Sequence, residues 1–146
     1  MGQAAEQEVD IHEGIEDTLI ILKHRLKYAI TVHRDYDRTL PRITVYGSEL
    51  NQVWTNLIAN AADALNGQGH ITIRTRRDGD RAAVEVIDDG PGIPEEVQSR
   101  IFEPFFTTKP VGKGLGLGLD ITYRIVVDRH GGSIGVDSRP GRTCFT

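Results

Sequence analysis

LNQVWTNLIANAADAL, residues 50–65, is the stretch whose reading decides the fold. Its apolar residues fall at Leu50, Val53, Trp54, Leu57, Ile58, Ala61, Ala62 and Leu65. That i, i+3, i+4, i+7 rhythm predicts an amphipathic helix of about four turns, with one face for a core. Ser48 stands where an N-cap belongs, and Gly67 where the helix should stop. At about 100° per residue, Asn60 lies at the edge of the apolar stripe, with Asn56 and Asp63 beside it on the same flank. Asparagine is a middling helix former, and its amide needs partners when half buried. Two asparagines there are either satisfied hydrogen-bonders at the border of the core or part of a site. The helix alone does not decide between the two.

Upstream, residues 1–9 read as a polar, frayed start. From about Asp10 to Lys27 the positions Ile11, Ile15, Leu19, Leu22 and Leu26 predict a second amphipathic helix. Ile30–Val32 and Ile43–Val45 read as short strands, separated by the polar turn RDYDRTLP that closes at Pro41. Downstream of the central helix, NGQG is a turn. Two alternating segments follow, His70–Arg76 and Ala82–Asp88, with the turn signal RDGD between them. They predict an antiparallel hairpin whose apolar face carries Ile71, Ile73, Val84 and Val86. The loop DDGPGIP comes next, and Pro94 suits the first turn of a short helix over about 94–100. A last helix is predicted over about Leu117–Arg129, with Ile121, Ile125 and Val126 toward the core and Gly131 as its stop. After it, Ser133–Asp137 reads as a strand. The sequence ends at Cys144-Phe145-Thr146, where an alternating strand is only beginning, so residues 10–146 read as one domain cut in its last strand. This order of elements predicts an α+β fold, a two-layer α/β sandwich with helices covering one face of a mixed, mostly antiparallel sheet.

The composition is compatible with that. A chain of 146 residues can bury one proper core but not two comfortable ones. Hydrophobic residues at 38% and charged residues at 26% are ordinary for a soluble globular domain. The net charge of -4 argues against a general nucleic-acid binder. The local cluster Arg74, Arg76 and Arg77 sits in an alternating strand and reads as a solvated face. Cys144 is the only cysteine, so one chain can build neither a disulfide nor a cysteine-based zinc site, which fits a reducing, cytoplasmic setting. No apolar run approaches transmembrane length, and no membrane contact by this domain is expected.

Three loops need a chemical explanation. Asp88-Asp89-Gly90-Pro91-Gly92 leaves a strand directly, and its glycines permit a tight backbone that can approach a flat ligand. An aspartate at the strand end can accept a hydrogen bond from an exocyclic amine, which is one way to read adenine; a plain polar turn has the same composition. In residues 101–109, IFEPFFTTK, the adjacent Phe105 and Phe106 cannot share one face, which suits a hinge packed on the core beside a mobile segment. Residues 112–119, GKGLGLGL, alternate glycine at the start of a helix, an arrangement that offers backbone N–H groups and a helix dipole to an anion. A P-loop needs Ser or Thr after its lysine, and Gly114 follows Lys113. The dinucleotide fingerprint GxGxxG fails as well, since Leu117 or Leu119 takes its last position. The loop is a phosphate loop of another type.

NLIANAADAL, DDGPGIP, IFEPFFTTK and GKGLGLGL, in this order and spacing, resemble the N-box, the two glycine boxes and the F-box of sensor histidine kinases. The resemblance runs from about Val9 to Thr146, and FFTTKPVGKG is most similar to kinases of the nitrogen-regulation type. The wider superfamily takes in gyrase, heat-shock chaperone and mismatch-repair ATPases, with the Bergerat-type ATP-binding fold. The resemblance implies ATP and Mg²⁺ as ligands. Asn60 would coordinate Mg²⁺, Asp88 would bind the adenine amine, and Gly90 and Gly92 would shape the pocket floor. Gly114, Gly116 and Gly118 would cradle phosphates, and the segment from Phe102 to Lys113 would form a lid. Lys109 or Lys113 would either neutralise phosphate charge or stay solvated. Ile93, Phe105, Thr108, Leu115 and Leu117 are implied to lie around the nucleotide. Asp63 belongs with them by position and has no assigned task.

Where hydrolytic members of the superfamily carry a glutamate one turn before the metal asparagine, this chain has Asn56, which accepts no proton at neutral pH. That favours transfer to an intrinsically nucleophilic acceptor such as histidine, and makes Asn56 and Asn60 the implied catalytic pair. Two departures stand out. Leu115 replaces a frequent threonine, and none of His12, His24, His33, His70 and His130 has the surroundings of a phosphoacceptor box. His12 reads as a surface residue at a helix start. The expected function is a protein-histidine kinase catalytic domain that passes the ATP γ-phosphate to a histidine on a separate dimerisation domain, with a response regulator downstream. The isolated chain is expected to be a monomer, and its parent protein either cytoplasmic or membrane-anchored. A gyrase- or chaperone-like ATPase and a non-catalytic nucleotide sensor are the alternatives.

Overall fold

The computed structural model describes residues 6–24, 26, 29–65, 68–93, 95–98, 100–103, 119–139 and 141–145, with backbone alone at 95, 97, 139 and 142–145. The helix α2, Gly47–Leu65, lies at its centre. It buries Leu50, Val53, Trp54, Leu57, Ile58, Ala61, Ala62 and Leu65, the apolar positions picked out by periodicity, and Asn60 with them. Its start differs from expectation. The Leu50 N–H donates to the Tyr46 carbonyl at 2.9 Å, so Ser48 sits inside the first turn and does not cap it.

Beneath α2 lies a five-stranded sheet. Its strands are β2 (Ile30–Asp35), β4 (Gly69–Asp78), β5 (Arg81–Asp88), β6 (Val136–Arg139) and β7 (Arg142–Phe145). They are ordered β2-β4-β5-β7-β6, with β2 and β4 parallel and every other pair antiparallel. This is the mixed, mostly antiparallel sheet expected of the sequence. Alternation along each strand decides what faces the helices. Ile71, Ile73 and Thr75 of β4 and Val86 and Asp88 of β5 are buried, and Ile71 stands opposite Asp88 across the ladder. Asp88 therefore lies on the core face of the sheet, at the end of β5 that the glycine loop leaves. On the other face Arg74 pairs with Asp35 at 2.9 Å and Arg76 with Glu85 at 3.2 Å, the solvated surface expected of that basic cluster.

The helix α1 (Ile11–Ile21) packs on α2, and its N-terminus is capped by Asp10, whose carboxylate accepts the His12 N–H at 2.9 Å. Further along the chain lie a single turn, α3 (Glu95–Gln98), and the helix α4 (Leu119–Tyr123), which continues as a π-helical segment over Arg124–Arg129.

Several elements depart from the sequence reading. Gln7–Val9, taken as part of a frayed start, forms β1, which pairs antiparallel with β3 (Ile43–Val45) in a separate two-stranded sheet. α1 ends at Ile21 and does not run on toward Lys27; Leu22 and Leu26 still pack on the core from turns, so their spacing mimics helical continuation. β2 reaches Asp35, beyond the expected end at Val32. The strand expected at 133–137 lies at Val136–Arg139, set by its pairing with β7 through the turn at Gly141, where φ is +87°. In α4 the buried residues are Leu119 and Thr122, while Ile121 is 42% exposed. Counted back at 3.6 residues per turn, the Ile125–Val126 stripe lands between Ile121 and Thr122. Apolarity selects Ile121, whereas the buried face runs through Leu119 and Thr122, three residues apart in the same α-helical turn.

Candidate functional site

Asp88 is 3% exposed, and its Oδ1 accepts the Gly90 N–H at 2.9 Å. Burial, helped by the neighbouring charge of Asp89, pushes its carboxyl up to about 6, while the Gly90 N–H pulls the other way. A buried carboxylate with one fixed donor is an acceptor waiting for a second donor. The loop it begins is closely packed. A Cβ added at Gly90 would stand 2.9 Å from Asp88 Oδ1 and 3.3 Å from the carbonyl oxygen of Ala64, in the last turn of α2. Gly92 has φ +89°, a left-handed conformation that side chains resist. Ile93, 8% exposed, closes the loop, its N–H donating to Ser138 Oγ at 2.7 Å. Gln98 Nε2 donates to the carbonyls of Ile93 and Ser138 at 2.8 and 3.1 Å.

Because Gly90 abuts Ala64, the loop meets the part of α2 that carries Asn60, one turn before Ala64. Asn60 is 5% exposed, and its Nδ2 is the one buried side-chain polar atom without a hydrogen-bond partner among the described residues. Buried polar atoms are nearly always paired, so this amide holds a donor that the described residues leave unmet. The adjacent Oδ1 is a hard, neutral oxygen donor. That suits Mg²⁺, which keeps several waters and binds through one or two protein groups together with phosphate oxygens. No group of three or more His, Cys, Asp or Glu among the described residues could hold a metal without such help.

Asn56, one turn earlier, is held at both ends of its amide. Gln52 Nε2 donates to its Oδ1 at 3.0 Å, and its Nδ2 donates to Thr122 Oγ1 at 3.1 Å. Asp63 is half-buried on the same helix. At the other end of α2, the Arg129 guanidinium forms a two-pronged pair with Glu49 at 2.9 and 3.0 Å. Arg129 also lies 4.1 Å above the Tyr46 ring. His130 Nδ1 donates to the Ile125 carbonyl at 2.8 Å, and its Nε2 accepts the Tyr46 N–H at 3.1 Å. α2 is thereby tied to the final helix at its start and again at Asn56.

Of the residues expected at a site, the structure places Asp88, Gly90, Gly92 and Ile93 on the loop that meets Ala64, and Asn56, Asn60 and Asp63 on the helix that carries Ala64. Thr122, Ser138 and Gln98, which hold these elements, were not singled out from the sequence. Only Thr122 had a signal, its i+3 spacing from the buried Leu119. Phe105, Thr108, Lys109, Lys113, Gly114, Leu115, Gly116, Leu117 and Gly118, and most of the expected lid with them, lie outside the described residues. On either side of that stretch Ile101 and Leu119 are each 1% exposed, anchored in the core. The reading of His12 as a surface residue is corrected. It is 7% exposed, stacked on Tyr36 with ring centroids 4.5 Å apart, and its Nε2 is hydrogen-bonded to Thr75 Oγ1 at 2.8 Å. Partners distant in sequence, Thr75 and Tyr36, bury it.

Known proteins resemble this chain in sequence and in fold. The chain is 37% identical over 94% of its length to a sensory histidine kinase/phosphatase NtrB of Vibrio alginolyticus, covering 42% of that relative. To the NtrB of Rhodobacter capsulatus it is 44% identical over 76% of its length, covering 34% of that protein. It therefore spans less than half the length of these curated relatives. The catalytic domain of histidine kinase ThkA superposes with a TM-score of 0.87 and 33% identity, over 96% of this chain and 91% of that one. ThkA in complex with the response regulator protein TrrA matches with a TM-score of 0.81 and 30% identity, over 96% of this chain and 40% of that one. Residues 46–146, from the start of the Asn60 helix onward, match the family described as histidine kinase-, DNA gyrase B- and HSP90-like ATPase, and the chain belongs to that family.

Proposed function

We propose that this chain is the ATP-binding catalytic domain of a sensor histidine kinase, which binds Mg·ATP and supplies its γ-phosphate to a histidine on a separate dimerisation domain. The observation that carries the reading is the joint placement of a buried acceptor, Asp88, and an unpartnered buried amide, Asn60, on either side of the Gly90–Ala64 contact. Asp88 accepts the exocyclic amine of adenine, and the backbone of Gly90 and Gly92 forms the floor beneath the ring. Asn60 would hold Mg²⁺ through its Oδ1, and the metal would supply charge neutralisation to the phosphates when bound. The alternating glycines at 112–118, outside the described residues, would by their sequence offer backbone N–H groups to the phosphates.

Asn56 favours transfer over hydrolysis. No carboxylate stands one turn before Asn60 to take a proton from water, and the Asn56 amide is engaged with Gln52 and Thr122. An imidazole acceptor needs no such base, because its ring nitrogen attacks with its own lone pair. His12 is enclosed by Thr75 and Tyr36, which supports an acceptor outside this chain. The complex of ThkA with the response regulator protein TrrA supports a two-component pathway with a regulator downstream. Among the described residues no helix is long and apolar enough to cross a membrane, which is compatible with a cytoplasmic catalytic domain.

Calorimetric titration of ATP with and without Mg²⁺, on the wild type and on Asn60→Ala and Asp88→Ala, tests the reading. Asp88→Ala should weaken binding under both conditions, and Asn60→Ala should remove the gain conferred by Mg²⁺. Unchanged affinities in both variants would overturn the site. Labelled γ-phosphate should not appear on the isolated chain, and its appearance there would overturn the separate acceptor.

A further inference from the structure

We propose that Thr122 is a positioning residue for the nucleotide site, fixing the Asn56 amide and through it the seating of the Asn60 helix against the helix that follows the glycine loop. The inference rests on the Mg·ATP reading above. Thr122 is completely buried, an unusual place for a hydroxyl unless it is hydrogen-bonded. The bond it makes crosses between elements, from Asn56 Nδ2 on α2 to Thr122 Oγ1 on α4 at 3.1 Å. The other end of the same planar amide is also fixed, since Asn56 Oδ1 accepts from Gln52 Nε2 at 3.0 Å. With Oδ1 turned to Gln52, Nδ2 must face Thr122, and the amide has one orientation.

That orientation matters because of what each helix carries. Asn56 lies one turn before Asn60, about 6 Å along the helix axis. Thr122 lies in the first turn of α4, which follows directly on the sequence GKGLGLG. Leu119, 1% exposed, roots that turn in the core. The hydroxyl–amide bond therefore joins the helix that carries Asn60 to the first turn of the helix that follows GKGLGLG in the sequence. Valine at 122 would fill the same volume and lack the hydroxyl that receives Nδ2, so packing and positioning can be separated.

The test is titration of the chain with ATP in Mg²⁺ and in EDTA, for the wild type, Thr122→Val, Thr122→Ser, Thr122→Ala, Asn56→Ala and the Asn56→Ala/Thr122→Val double variant. In Thr122→Val the Mg²⁺-dependent gain in affinity should fall about fivefold, the size of one lost hydrogen bond, while the affinity in EDTA stays within about twofold. Thr122→Ser should keep the gain, and Thr122→Ala should lose it, giving a second readout if the valine variant does not fold. In the Asn56→Ala background, Thr122→Val should have no further effect, because the bond is already gone. An unchanged gain in the valine and alanine variants, an equal loss in Mg²⁺ and EDTA, or a serine variant that fails to restore the gain would each overturn the proposal. Wild-type chain that binds no ATP would overturn the Mg·ATP reading itself. Wild-type binding with indifferent Thr122 variants would overturn only the role of Thr122.

Discussion

Ser138 Oγ accepts the N–H of Ile93 at 2.7 Å, and this one bond ties the glycine loop after Asp88 to β6, 45 residues further along the chain. Gln98 Nε2 reinforces it by donating to both residues' carbonyls. The loop is thus held from the sheet side as well as by its contact with α2. Removing the acceptor of a partly buried N–H costs about 1–3 kcal/mol. Ser138→Ala should lower the thermal unfolding midpoint and, if the loop serves the base and not the phosphates as proposed, weaken ATP binding alike in Mg²⁺ and in EDTA. A selective loss of the Mg²⁺ effect would contradict that division.

Gly90 has no room for a side chain. A Cβ there would press on Asp88 Oδ1 at 2.9 Å and on the Ala64 carbonyl at 3.3 Å. The first of these is a buried, hydrogen-bonded oxygen and the second is helix backbone, so neither yields freely. Overpacking of this kind typically costs about 1–3 kcal/mol. Gly90→Ala should be destabilised by that order in denaturant unfolding and should bind ATP poorly. Gly135→Ala, where nothing lies within 4 Å of an added Cβ, serves as the control and should change neither.

The raised carboxyl of Asp88 links stability to pH. Its ordinary value is 3.8, and burial moves it to about 6 in the folded chain. Between those values the folded state holds a proton that the unfolded state has released. The contribution to stability is therefore full below about pH 4 and lost as pH rises through about 6. Above that the buried charge is a burden of at most about 3 kcal/mol. Asn at this position keeps an oxygen for the Gly90 N–H and carries no charge. Asp88→Asn should therefore raise the unfolding free energy at pH 8, with the gain shrinking toward pH 4. ATP affinity should move oppositely, with the wild type binding better above pH 6 than at pH 5 and the variant binding weakly at both. Thermal unfolding and titration across pH 4–8 measure both trends.

What the sequence disclosed and what it hid follow from the range of the interactions involved. The stripe on α2 was legible because its eight apolar positions obey one period, and the period is local. Asp88 was legible as the aspartate that ends an alternating strand where a glycine loop begins, and its burial on the core face came only with the structure. Ser138 was not, since its role depends on a partner 45 residues away and leaves no local pattern. His12 was misplaced for the same reason, its burial being decided by Tyr36 and by Thr75, 63 residues on. Thr122 was hidden by its polarity, because a count back from Ile125 and Val126 falls between Ile121 and Thr122, and apolarity assigns Ile121 to the core. Gly90 was legible as a place of close approach, yet the surface it approaches, the Ala64 carbonyl, is a tertiary fact.

Asn60 separates stability from function most sharply. Its Nδ2 is buried without a partner, and an unsatisfied buried amide is itself destabilising by about 1–3 kcal/mol. Truncation removes that penalty and also removes packed atoms, so the two effects oppose each other. Asn60→Ala should therefore shift the unfolding free energy by less than about 1 kcal/mol, unusually little for a residue 5% exposed. Asn60→Asp should be worse for stability than Asn60→Ala without metal, since it puts a charge in the same enclosed place. Added Mg²⁺ with ATP should recover part of that loss by pairing the charge. Unfolding measured in EDTA and in Mg·ATP reports both effects. An Asn60→Ala loss of about 3 kcal/mol in EDTA would show instead that the amide is an ordinary member of the core.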